Sequence, residues 1–241
     1  RFGFESKDGA ELFWNGEGVR MEGHDWYVDR DIHVETLGRL RKGENEVVLR
    51  MPFGPGSNVE ACYLLGEFGA AVSGDTARIT KKPEMLGFGD MAPQGFPFYG
   101  GCVEYCTEGE TKAGTVEIEI PEYYAALLHV ELDEKQADVF AEPYTARFEK
   151  VAAGVHSLRL TAYGTRINTF GQLHNCNRKE EYYGPKSYRT SGKNWSYVYQ
   201  LHQTGVTVAP IVRVLEEKGL RGAVMDAVIA SYNKTKEMGK G

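Results

Sequence analysis

Apolar and polar residues alternate in short runs through the first two thirds of the chain: Glu11-Leu-Phe-Trp, Asp31-Ile-His-Val-Glu, Glu46-Val-Val-Leu-Arg-Met, Thr115-Val-Glu-Ile-Glu-Ile, Leu128-His-Val-Glu-Leu and Ser157-Leu-Arg-Leu-Thr-Ala. A period of two places every second side chain on one face, so each run predicts a strand with one buried face. Breaks containing Gly, Asn and Asp separate the runs, and no strand-then-helix rhythm is present. The pattern predicts an all-β sandwich and argues against a doubly wound parallel sheet.

Two segments repeat one design. In the first, Leu12-Phe-Trp-Asn-Gly-Glu-Gly-Val leads through Trp26-Tyr-Val-Asp-Arg-Asp-Ile-His-Val to Leu40-Arg-Lys-Gly-Glu-Asn-Glu-Val-Val-Leu. In the second, Val130-Glu-Leu-Asp-Glu-Lys-Gln-Ala-Asp leads through Pro143-Tyr-Thr-Ala-Arg-Phe-Glu to Val151-Ala-Ala-Gly-Val-His-Ser-Leu-Arg-Leu. Repetition of a supersecondary pattern predicts two copies of one sandwich. Only the second copy has a front half before it, Gly95-Phe-Pro-Phe-Tyr-Gly-Gly-Cys-Val-Glu-Tyr and the strand from Thr115. The chain is therefore read as beginning midway through its first sandwich, whose core face, Val47 and Leu49 included, would lack a partner sheet. Turn-rich residues 71–90 supply the expected boundary, giving a partial sandwich over 1–75 and a second sandwich over 76–213.

The tail differs. Leu220, Val224, Ala227, Val228 and Tyr232 recur near helical spacing, which predicts an amphipathic C-terminal helix within 214–241. Its apolar face packs on a sandwich or docks on another domain or subunit.

Between Arg166 and Trp195 the sequence has no apolar period, yet it is crowded with rings, amides and charges. A connection this long is either functional or disordered, and its aromatic content argues for order. Sugars are bound by flat aromatic faces together with amide and charged groups that share hydrogen bonds with hydroxyls. Tyr182, Tyr183, Tyr188 and Trp195 supply such faces, and His174, Asn175, Arg189 and Asn194 such polar groups. The alternative is a loop folded back on the sandwich, with its rings in a satellite core and its polar groups bonded to backbone. Arg166 and Arg189 are placed to pair with Glu180 or Glu181. The following run, Trp195-Ser-Tyr-Val-Tyr-Gln-Leu, reads as a strand that sorts Trp195, Tyr197, Tyr199 and Leu201 to one face, with Trp195 at the edge of the core.

Composition narrows the function classes. Of 241 residues, 41% are hydrophobic and 12% aromatic, ordinary for a globular chain, and the formal charge of −6 with scattered basic residues is unlike a nucleic-acid binder. No apolar run approaches the roughly 18 residues that a membrane helix needs, and the first residues lack a signal-peptide pattern. Neither nucleic acid nor membrane is expected as a partner. Cys102 and Cys106 stand four apart in a predicted strand, about 13 Å, too far for a disulfide and awkward for one zinc ion. The four cysteines are read as free buried thiols.

The order Trp14-Asn-Gly, then Leu40-Arg-Lys-Gly-Glu-Asn-Glu-Val-Val-Leu, then Phe98-Tyr-Gly-Gly-Cys-Val-Glu-Tyr resembles the galactose-binding-like jelly rolls that accompany catalytic domains in bacterial glycoside hydrolases. The kin are the sugar-binding domains of the β-galactosidase and β-glucuronidase type and the accessory sandwiches of α-L-rhamnosidase-like proteins. Glu60-Ala-Cys-Tyr-Leu-Leu-Gly-Glu-Phe-Gly, Gln94-Gly-Phe-Pro-Phe-Tyr-Gly-Gly and Gly171-Gln-Leu-His-Asn-Cys carry the same resemblance, which covers residues 8–213. Two departures stand out: the first sandwich lacks its front half, and the second has Leu132-Asp-Glu where the pattern has an asparagine-glycine turn.

What the resemblance implies is a non-catalytic accessory region of a larger bacterial glycoside hydrolase, and the rings and polar groups of the loop supply the candidate carbohydrate contacts: Trp195, Tyr183, Tyr182, His174, Asn175 and Arg189. The alternative is an interaction module that docks on the catalytic domain of the parent chain, or on a second subunit, without binding sugar. A glycosidase needs two carboxyl groups about 5 to 9 Å apart across the scissile bond. Asp25, Asp29, Asp31, Glu60 and Glu67 are candidates, but turn aspartates bond local amides and acids alternating with apolar residues form solvated faces. No catalytic residue is assigned. The histidines lie in no recognised nucleophile motif, Gly87-Phe-Gly-Asp is too short for a phosphate loop, and no calcium-ligand spacing is present, so no metal or cofactor is assigned.

Overall fold

The computed structural model describes residues 1–5, 7–55, 61–177, 179, 184, 187–188 and 190–215. The chain divides into two compact units, Arg1–Glu67 and Phe68–Gly241.

The first unit contains β1 (Phe2–Phe4), β2 (Glu11–Trp14), β3 (Glu17–Val19), β4 (Asp25–Tyr27), β5 (Asp29–Glu35), β6 (Val47–Arg50) and β7 (Tyr63–Leu64). They form two antiparallel sheets, in the orders β4-β5-β1-β7 and β3-β2-β6. Alternation in β2 turns Leu12 and Trp14 inward and leaves Phe13 on the other face, where the Arg50 guanidinium lies 4.7 Å from its ring centre. Phe2 and Phe4 of one sheet meet Ala10 and Leu12 in a core against which Val47 and Leu49 also pack. The expected absence of a partner sheet is thereby corrected: β1, paired with both β5 and β7, supplies one. Strand β1 was illegible because its Phe-Gly-Phe is too short to show alternation.

The second unit opens with a hairpin of β8 (Gly69–Ser73) and β9 (Thr76–Thr80). Its sandwich comprises β10 (Cys102–Thr111), β11 (Gly114–Glu119), β12 (Tyr123–Tyr124), β13 (Leu127–Leu132), β14 (Lys135–Val139), β15 (Thr145–Val151) and β16 (Gly154–Tyr163). After them come the helical turn α1 (Ile167–Phe170), β17 (Gly205–Val206) and β18 (Ile211–Leu215). One sheet runs β10-β16-β13-β14 and the other β15-β11-β18, with β12-β17 a small third ladder. Val116 and Ile118 from one sheet and Leu128, Val130 and Leu160 from the other are fully or almost fully buried in a common core. Burying such side chains stabilises the fold by about 1.5 to 3 kcal/mol each before chain entropy is counted. The all-β sandwich expected from the alternation is what forms.

The repeat has a structural counterpart. Order β3-β2-β6 corresponds to β14-β13-β16, and β5-β1-β7 to β15-β11-β18. The two hairpin turns are held alike. Asn15 (φ 52°) donates its amide to the Glu46 carbonyl at 2.9 Å and accepts the Glu46 amide on its side chain at 2.9 Å. Asp133 (φ 51°) makes the same two bonds, each 2.9 Å, with Ser157. Asn and Asp tolerate this left-handed backbone better than other non-glycine residues. Asp133 thus fills the role of the asparagine at the departing turn.

Other expectations meet corrections. The division falls between Glu67 and Phe68, and the expected 75/76 boundary lies in the turn between β8 and β9. Residues 86–90, within the stretch 71–90 read as the boundary, are tied down: Gln94 brackets Gly87 through its amide group, and the Gly89 amide and that of neighbouring Met91 donate to the Val206 and Thr204 carbonyls. Val214 and Leu215, placed in the helical tail, are strand residues opposite Val116 and Thr115; residues 216–241, with the rest of the predicted helix, lie outside the described residues. The cysteines are free, but Cys62, Cys102 and Cys106 are exposed and Cys176 is half-buried. Along β10 the inward parity belongs to Val103 and Tyr105, which turns Cys102 and Cys106 outward.

Candidate functional site

The connection from β16 to β17 is built on three anchors. At its start, Gly164 lets two backbones approach: a side chain there would place its Cβ 2.4 Å from the Gly101 carbonyl oxygen. Thr169 then donates its hydroxyl to the Phe98 carbonyl at 2.8 Å. In the middle, the Asn168 side chain is buried and answers both backbone groups of His202, donating to its carbonyl at 2.8 Å and accepting its amide at 2.9 Å. The third anchor is a short antiparallel contact between residues 173–176 and 194–200. Asn175 bridges Trp195, the Cys176 amide donates to the Asn194 carbonyl, and the Ser196 amide donates to the His174 carbonyl.

The polar side chains of the loop serve the same purpose. His174 directs Nδ1 at the Ser196 carbonyl, 2.9 Å away, so that nitrogen carries the proton. Buried Asn175 donates to the Ser187 carbonyl at 3.1 Å and accepts the Asn177 amide at 2.9 Å. Tyr188 donates its hydroxyl to the Phe170 carbonyl while its ring stays exposed. A loop that satisfies its own backbone in this way can be ordered without regular structure.

These bonds fix a row of rings. Phe98 and Tyr199 stand 5.7 Å apart between centroids, Tyr199 and His174 5.0 Å, His174 and Trp195 6.2 Å, and Trp195 and Tyr197 4.2 Å in an edge-to-face contact. The row runs from half-buried Phe98 to Tyr197, whose exposure is 71%. Trp195 is half-buried, with His174 and Tyr197 as its ring neighbours. The expected strand over 195–201 does not form; residues 197 and 198 bend instead. Beyond Trp195 the backbone bonds of Ser196, Tyr199 and Gln200 go to the His174, Gly74 and Leu173 carbonyls, an irregular set rather than a ladder, and Tyr197 stands edge to face on the indole.

Of the residues picked from the sequence, His174, Asn175 and Trp195 are together in this loop, with Asn175 turned inward to backbone groups. Tyr182, Tyr183 and Arg189 lie outside the described residues, as do Glu180 and Glu181 and the pairing expected of them. Tyr197, Tyr199 and Phe98 join His174 and Trp195 in the ring row without a sugar-site signal of their own in the sequence. The i, i+2, i+4 spacing of Trp195, Tyr197 and Tyr199 was the visible signal for two of them, read as a strand face.

The candidate acids sit elsewhere. Asp25 meets the Arg1 guanidinium at 3.3 Å on the surface, and Asp29 accepts the Asp31 amide at 3.0 Å, a local turn bond. Glu60 lies outside the described residues. Glu35 is the buried acid among the described residues of the first unit; it accepts the Gly23 amide and pairs with Lys7 at 3.0 Å. Lys7 in turn donates to the Gly23 carbonyl, so the group fastens a loop. Among the described residues no three His, Cys, Asp or Glu side chains cluster as metal ligands.

No family model matches the chain, and no curated protein matches it. Among solved structures the chain is similar to the crystal structure of a GH2 β-galacturonidase from Eisenbergiella tayi bound to glycerol, with 16% identity and a TM-score of 0.33. The match covers 62% of this chain and 23% of that one, so this chain corresponds to less than a quarter of that protein's length.

Proposed function

We propose that this chain is a non-catalytic accessory region of a larger bacterial glycoside hydrolase, a galactose-binding-like jelly roll preceded by a related sandwich, and that it contacts carbohydrate through Trp195 and Tyr197. The observation that carries this reading is the ring row, half-buried at Phe98 and open to solvent at Tyr197. A pyranose presents an apolar C–H face, and an exposed ring already held in place covers it at little cost in side-chain entropy. The edge-to-face contact with Trp195 holds Tyr197 in that way. Tyr188, exposed and tied to the Phe170 carbonyl, offers a second face in the same loop. The sequence resemblance supports the parent enzyme class.

Titrating the purified chain with oligosaccharides of galactose, galacturonate, glucuronate and rhamnose tests the reading. Binding that Tyr197→Ala abolishes, with the melting temperature unchanged, is the expected result. No binding to any sugar by the intact chain contradicts it and favours the docking-module reading instead.

A further inference from the structure

His156 occupies the end of the second sandwich with both ring nitrogens against acceptors: Nδ1 lies 2.6 Å from the Asp133 carboxylate and Nε2 3.0 Å from the Ala152 carbonyl. A neutral imidazole carries one N–H, so both bonds exist together only in the imidazolium. The same Asp133 accepts the Ser157 amide on its other oxygen. One carboxylate therefore joins the β13–β14 turn to β16, and the imidazolium extends that tie to the β15–β16 turn. We propose that His156 is a pH-sensitive latch on this end of the second sandwich, closed when protonated and loosened when neutral.

The surroundings bear this out. Across β10 the residue opposite His156 is Gly109, which brings no side chain, and Glu108 and Glu110 flank it. The β13–β14 turn contributes Asp133 and Glu134, and the first residue of β14, Lys135, points its ammonium at the Glu149 and Lys150 carbonyls, at the end of β15. The Asp133 carboxylate, then the Ala152 carbonyl, hold the imidazolium above the usual histidine range, opposed by lesser contributions from desolvation and Lys135. The first unit supplies a contrast in the same chain. Its turn is held by Asn15, Asn45 and Glu46, with Asn45 next to Glu46 as His156 is next to Ser157, and the Asn15–Asn45 bond at 3.2 Å contains no titrating group.

Amide hydrogen exchange of the full chain between about pH 5 and about pH 9 tests the latch across the histidine range. Each rate is corrected for its intrinsic pH dependence, with the Glu46 amide as reference for Ser157. The Ser157-to-Glu46 protection ratio is expected to fall about fivefold as pH rises, the net worth of the one hydrogen bond that the neutral ring gives up. The midpoint should match the titration of the His156 ring and lie above the ordinary histidine value. In the Asp133→Asn/His156→Asn variant, which gives this turn the first unit's asparagine pair, the ratio should stay flat; His156→Gln serves if that variant does not fold. A flat ratio in the intact chain, a His156 midpoint at or below the ordinary value, or a fall that survives loss of the histidine would each overturn the proposal.

Discussion

Tyr197 stands edge to face on Trp195 at 4.2 Å between ring centroids, yet remains 71% exposed. The two rings therefore carry different weights. Tyr197→Ala removes an exposed ring and should change stability by no more than about 0.5 kcal/mol. Trp195→Ala removes a half-buried one and should cost about 1 to 3 kcal/mol. Urea unfolding of both variants checks the difference; equal costs would mean that Tyr197 is structural.

Asn168 and His202 join the two ends of the loop. With Asn168→Ala the His202 amide and carbonyl lose their partner where water reaches poorly, which should cost about 1 to 3 kcal/mol. The melting temperature gives the cost. Hydrogen exchange at His202 should rise in the same variant, and an unchanged rate would show that the loop is ordered by other contacts.

The sandwich was legible because its strands bury one face. Val116 and Ile118 on β11, and Leu128, Val130 and Leu132 on β13, alternate without a break, and burial follows them residue by residue. The repeat was legible for the same reason, since Leu12 and Val130 open matching runs. Strand β1 is too short to read, and residues 86–90 read as part of the boundary because their order comes from Gln94 and from the distant Val206 carbonyl. The loop was recognised by its composition. Its geometry was hidden because Asn168, His174 and Asn175 act on backbone groups far along the chain, and no local period reports such bonds.

The pH dependence of stability follows from the Asp133–His156 pair. The His156 bond, then the Ser157 amide, hold the Asp133 carboxyl below the usual carboxylate range, so its contribution is full above about pH 4, the ordinary aspartate value, and is lost as pH falls through the lowered one. His156 is raised, so its contribution is full below about pH 6.5 and is lost as pH rises through the raised value. The stability difference between the intact chain and His156→Asn should be greatest between those limits and shrink on both sides. Urea midpoints measured across pH give this profile directly; a difference constant with pH would contradict it.

The indole N–H signals of Trp14, Trp26 and Trp195 give three separate reporters, one in the first core, one on an exposed hairpin and one beneath Tyr197. Following all three by nuclear magnetic resonance while oligosaccharides are added tests carbohydrate contact at the ring row most directly. The account predicts that a bound sugar shifts the Trp195 signal in a saturable way, leaves Trp14 and Trp26 in place, and loses its effect in Tyr197→Ala. A sugar that shifts Trp26 alone, or a panel that moves none of the three, would contradict it.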